Sequence, residues 1–165
     1  MTKLAILRLT QSKEWNDIHG RLLVPVHDEI IAEVPMDKWK EGGEILSKMM
    51  IDAADFLPFP SKCDVTTTLR WYGLEYPCKY PQPSSMDNLT PDEVKWVQYM
   101  LTEMEYQLPV FKDENGDKPR GDAALGVNGV VSDQYEEAIL DYMNRYSITI
   151  EQFIDHISTK VYKGE

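Results

Sequence analysis

The sequence is short of cysteine, histidine and positive charge, and it has no long apolar run. Two cysteines, Cys63 and Cys78, are too few for a disulfide framework. With His19, His27 and His156 they make no zinc-finger spacing. No apolar stretch approaches the roughly 20 residues that a membrane span needs. Met1 to Thr10, with Lys3 and Arg8, lacks the apolar core and cleavage site of a secretory signal. These absences predict a protein of the reducing cytoplasm with no membrane partner. The 17 Lys and Arg residues face 28 Asp and Glu, a net charge of -11. Gripping nucleic acid by counterion release needs a basic surface, so the chain taken whole repels DNA.

What is present is the composition of a folded domain: 165 residues, 42% hydrophobic and 27% charged. The charge is uneven. Residues 1–83 carry 10 basic and 12 acidic side chains, and residues 84–165 carry 7 and 16. The halves are different materials, and a role for one need not extend to the other.

Lys3 to Leu9 reads as the end of a helix, and the polar stretch Gln11 to Gly20 as a turn or loop. Leu22-Leu23-Val24-Pro25-Val26 and Ile30-Ile31-Ala32-Glu33-Val34 read as two strands, with His27-Asp28-Glu29 as the turn between them. Pro25 removes a backbone donor, which predicts an edge position or a bulge. Met36 to Phe56 has helical spacing of Trp39, Ile45, Leu46, Met49, Met50, Ala53 and Ala54, weakened at Gly42-Gly43 and stopped by Pro58 and Pro60. Cys63 to Trp71, rich in Val and Thr, predicts a third strand. Residues 77–89, with Pro77, Pro81 and Pro83, read as a Pro-rich linker. Thr90-Pro91-Asp92-Glu93 is a capping box with Pro at the first helical position. Ser132 to Tyr146 and Thr149 to Tyr162 complete an acidic helical extension over residues 90–165. The fold class expected is α+β: an antiparallel hairpin and third strand with a packed helix, then a small helical extension.

Chemistry concentrates at His27-Asp28-Glu29. Adjacent carboxylates raise each other's pKa unless a cation is near. Mg²⁺ takes one or two carboxylates together with substrate phosphates and waters. Polar residues are also what any turn requires. His19 reads as a surface residue, His156 as part of an amphipathic face, the two cysteines as buried or linker thiols, and Trp71-Tyr72 as a strand end. Asp133-Gln134-Tyr135-Glu136 reads as a solvated helix start.

The stretch Leu22 to Pro35, centred on Val26-His27-Asp28-Glu29, resembles the third motif of family A DNA polymerases, the relatives of bacterial DNA polymerase I. The preceding helix end, the helix with Met49-Met50 and Ala53-Ala54, Cys63-Asp64-Val65 and Trp71-Tyr72-Gly73 are similar in order to the C-terminal palm segment of that family. The resemblance covers residues 1–76. It implies that Asp28 is a catalytic aspartate holding two Mg²⁺ ions, that Glu29 is the supporting carboxylate at the same metal site, and that His27 lies near the primer terminus. The reaction implied is two-metal nucleotidyl transfer in DNA replication, with primer–template DNA and dNTP as partners. Pro25 stands where many relatives have a polar residue that touches the DNA minor groove.

The family's other aspartate, in a pattern like Asp-x-Ser-Gln-Ile-Glu, and its fingers helix are not in this sequence. The expectation is therefore a palm segment, of phage or prophage type, that starts inside a family helix. It would be inactive alone and completed by the remaining polymerase chain or domains. Residues 84–165 match no family by inspection. The alternative is a polymerase-derived, non-catalytic interaction module that acts through this acidic half. Bare sheet edges and faces predict a homo-oligomer in isolation, or acidic helices folded over the sheet.

Overall fold

A computed structural model describes residues 1–71, 73–112 and 115–164. The chain is α+β and divides into two compact units, Met1–Thr67 and Thr68–Glu165. The first unit runs α1 (Thr2–Gln11), α2 (Lys13–Asp17), β1 (Arg21–Val26), β2 (Glu29–Glu33), a 3₁₀ turn (Met36–Lys38) and α3 (Trp39–Asp52). The second runs α4 (Pro91–Glu103), a 3₁₀ turn (Gly121–Leu125), α5 (Asp133–Tyr146) and α6 (Ile150–Lys163).

The hairpin forms as its pattern predicts. β1 and β2 pair antiparallel from Arg21↔Glu33 to Val26↔Glu29, with an irregularity between Leu22 and Val24. The extra residue there is Leu23, which is exposed. The bulge thus falls two residues before Pro25, which itself pairs with Ile30. Both strands of a two-stranded sheet are edges, so the missing proline N–H costs the ladder little. Ile30 turns inward to join Ala5, Leu9, Trp15, Ile18, Ile45 and Ala53 in the core of this unit.

The sequence reading departs from the structure in two places, at the segment after α1 and at the expected third strand. The polar stretch after α1 is not all loop. Ser12 accepts from the Trp15 N–H, caps the five-residue α2, and lets that helix bury Trp15. α3 runs through Gly42-Gly43. A Cβ on Gly42 would stand 2.7 Å from Val34 Cγ1, so glycine there permits the close approach of helix and strand end. The expected third strand over Cys63 to Trp71 is not formed: Thr68 makes one isolated bridge to Glu75. A Val- and Thr-rich segment becomes a strand only where a partner ladder exists. Cys78, Tyr80, Met86 and Leu89 pack on the core of the second unit.

That core has sixteen buried apolar residues, from Leu74 through α4 to Ile157. α4 is buried on nearly every side, and polar side chains serve it there. Gln98, fully buried, accepts from the N–H groups of Asn128 and Gly129 and donates to the Val130 carbonyl. Glu103 accepts from the Leu74 N–H at 2.8 Å, and its Oε2 lies 3.3 Å from Arg70 Nε. Arg70 also donates to the Thr102 carbonyl. Arg70 and Leu74 are thereby fixed on the C-terminal end of α4.

Candidate functional site at the hairpin turn

The strands place the site by their register. Because Val26 pairs with Glu29, the turn has two residues, His27 and Asp28. Glu29, expected on the turn, is instead the first residue of β2. The φ angle is positive at His27 (54°) and not at Asp28. A positive φ at a turn position favours glycine. An L-residue in the left-handed region is disfavoured by about 1–2 kcal/mol. Such outliers persist where their surroundings hold them, and they gather at functional sites.

His27, Asp28 and Glu29 are all exposed. Thr2 Oγ1, in the first turn of α1, donates to the His27 carbonyl at 3.1 Å. The sequence gives no sign of this bond, since its partners stand 25 positions apart and only the packing of α1 beside the hairpin joins them. α1 is itself seated by Ala5 and Leu9, both fully buried.

Among the described residues no three His, Cys, Asp or Glu side chains form a group that could hold a metal ion. The donor set here is Asp28 with its neighbour Glu29. It fits the one or two carboxylates that Mg²⁺ takes from a protein, with waters and phosphates completing the shell. It does not fit a closed two-ion clamp, which needs a further acidic side chain from another segment.

The other candidates lie elsewhere. His19 is exposed, with a positive φ of 58°. His156 Nδ1 lies 2.9 Å from the Tyr142 hydroxyl inside an aromatic group with Tyr146, so it is a packed residue of α6. Cys63 and Cys78 are free thiols, and burial pushes the Cys78 thiol up to about 11. Trp71 is half exposed, and Tyr72 lies outside the described residues. Asp133 to Glu136 form the first turn of α5 under the Ser132 cap, as the sequence predicts. An open cleft of about 660 Å³ runs along α3, lined by Trp39, Lys40, Glu44, Lys48, Cys63 and Val65 among others. Its charges alternate in sign, and no turn residue lines it.

Among the described residues no helix is long and apolar enough to cross a membrane. No protein-family profile matches the chain, and no solved structure matches it. Two curated proteins do. The chain is 36% identical over 70 residues to DNA polymerase I of Lactococcus lactis subsp. lactis and 31% identical over 70 residues to that of subsp. cremoris. The matched stretch is 42% of this chain and 8% of the length of each relative. A part of this chain is thus similar in sequence to a small part of DNA polymerase I.

Proposed function

We propose that the chain supplies a C-terminal palm segment to a family A DNA polymerase, with Asp28 as its metal-binding aspartate. The observation that carries this reading is the similarity to DNA polymerase I over 70 residues, in a chain whose hairpin presents Val26-His27-Asp28-Glu29 at its tip. An exposed carboxylate on a two-residue turn between paired strands is fixed in place yet open to phosphate and solvent. That is the geometry a shared Mg²⁺ site asks of one contributor.

In this reading Asp28 and Glu29 give one side of the site, and His27 stands beside the primer terminus. The second aspartate and the residues that hold the nucleotide come from the remaining polymerase. When bound, a Mg²⁺ pair would lower the pKa of the primer 3′-hydroxyl and neutralise the triphosphate. The chain alone does not extend a primer, and the complete assembly acts in the cytoplasm on primer–template DNA and dNTP. The expected phage or prophage origin of such a piece belongs to the same proposal.

The test is complementation in trans. A Lactococcus lactis DNA polymerase I lacking its matching 70 residues is mixed with this chain, and primer extension is measured. The wild-type chain restores extension, and Asp28→Ala does not. Equal restoration by both chains, or none by the wild type, contradicts the reading.

A further inference from the structure

We propose that Thr2 is a positioning residue for Asp28: its hydroxyl holds the His27 carbonyl and so fixes the left-handed turn that presents the carboxylate. This rests on the reading of Asp28 given above.

The inference starts from the turn's hydrogen bonds. In a two-residue hairpin the ladder closes at Val26↔Glu29. The His27 carbonyl stands beyond that pair and finds its donor outside the sheet, in Thr2 Oγ1. Thr2 is the first residue of α1, and Met1 at the cap position makes no side-chain capping bond. A hydroxyl at a helix start usually serves the helix's own free N–H groups. Here it points away from its helix and serves a turn 25 residues on.

The bond matters because of what it restrains. His27 lacks glycine's freedom at a φ of 54°. Without an outside restraint the turn relaxes toward conformations that suit an L-residue, and Asp28 moves with it. Catalytic groups must be held within roughly 0.5 Å of their working geometry. A carboxylate that shares a metal site with another segment cannot drift by more. The restraint comes from α1, which is seated by the fully buried Ala5 and Leu9.

The experiment uses the full 165-residue chain with Thr2→Val, which keeps shape and loses the donor, and Thr2→Ser, which keeps the donor. The first arm needs no metal, DNA or polymerase. ¹⁵N NMR of Thr2→Val should show shifted, more mobile amides at His27 and Asp28, with those of Ala5 and Leu9 unmoved, and Thr2→Ser should restore the turn. The second arm is complementation in trans. Thr2→Val should lower kcat about five-fold, the worth of one ordinary hydrogen bond, with KM for dNTP unchanged and rescue by Thr2→Ser.

An unaltered turn in Thr2→Val overturns the proposal, and so does a change spread through Ala5 and Leu9. A loosened turn with unchanged kcat also overturns it, provided Asp28→Ala inactivates the same assembly. If Asp28→Ala leaves extension intact, the functional reading falls, and the first arm still decides whether Thr2 holds the turn.

Discussion

The two units spend their apolar residues differently. In the second, sixteen buried apolar residues make one core, with Tyr142, Phe153, Met100, Leu101 and Ile157 fully enclosed. In the first, seven do, while Leu4, Leu7, Leu23, Val26, Ile51, Phe56, Phe59 and Val65 are exposed; the second unit also exposes Trp71, Val110, Phe111, Leu125, Val130, Val131, Leu140 and Ile150. Phe56 and Phe59 are 69% and 61% exposed. Charge differs in the same sense: the first unit carries 8 basic and 11 acidic side chains, the second 9 and 17. A surface of high single-sign charge repels self-association. The second unit has the larger buried core and the greater excess of negative charge. The first has the smaller buried core, with Phe56 and Phe59 left outside it.

The strongest way to break this contrast is to open the larger core. Phe153→Ala should cost the second unit about 3–5 kcal/mol, the range for a buried aromatic cut to alanine. Urea unfolding should show that loss in the signals of α4–α6, with those of the first unit unmoved. Gln98→Ala should cost about 2–3 kcal/mol, because it leaves the Asn128 and Gly129 N–H groups and the Val130 carbonyl without their partner. Thermal unfolding followed at the 128–130 amides would read it, and a loss under about 0.5 kcal/mol would mean that water replaces the amide.

His27→Gly sharpens the comparison in the opposite direction. Glycine accepts the positive φ, so the first unit should gain about 0.5–1 kcal/mol. The same substitution should reduce primer extension in the complemented polymerase. A gain in both would make the turn a structural connector only.

The smallest effect is at the Thr90 cap. The Thr90 backbone N–H, and after it the Thr90 hydroxyl, hold the Glu93 carboxyl below its usual value of 4.5. A depressed carboxylate stabilises the fold above the unfolded value and loses that stabilisation as pH falls through the folded one. The α4 cap should therefore weaken as pH drops below 4.5. Glu93→Gln keeps the box without the titration, so its unfolding temperature should depend less on pH in that window than that of the wild type.

The capped helices of the second unit and the hairpin of the first are legible in the sequence because their signals are local. Thr90-Pro91-Asp92-Glu93 contains both halves of its own capping box. The two apolar runs around His27-Asp28-Glu29 need only each other. What was not legible depends on distant partners. Cys63 to Trp71 has strand residues and no ladder to join. Cys78, Tyr80, Met86 and Leu89 look like linker residues until the core they cover exists. α2 has too few residues for a periodicity, and its place is set by one serine and one tryptophan. The site follows the same rule. His27 and Asp28 announce themselves as a turn, while their restraint by Thr2 appears only after α1 and the hairpin are packed together.

The most direct measurement is amide hydrogen exchange of the full chain, alone and with the truncated DNA polymerase I. Alone, α4–α6 should exchange slowly, while α1, the hairpin and α3 exchange far faster. With the truncated polymerase present, protection should rise in residues 1–67, including the turn at His27 and Asp28, and stay unchanged in α4–α6. Protection of the first unit equal to that of the second before any polymerase is added, or no rise on adding it, would contradict the view that the first unit is a polymerase part awaiting completion.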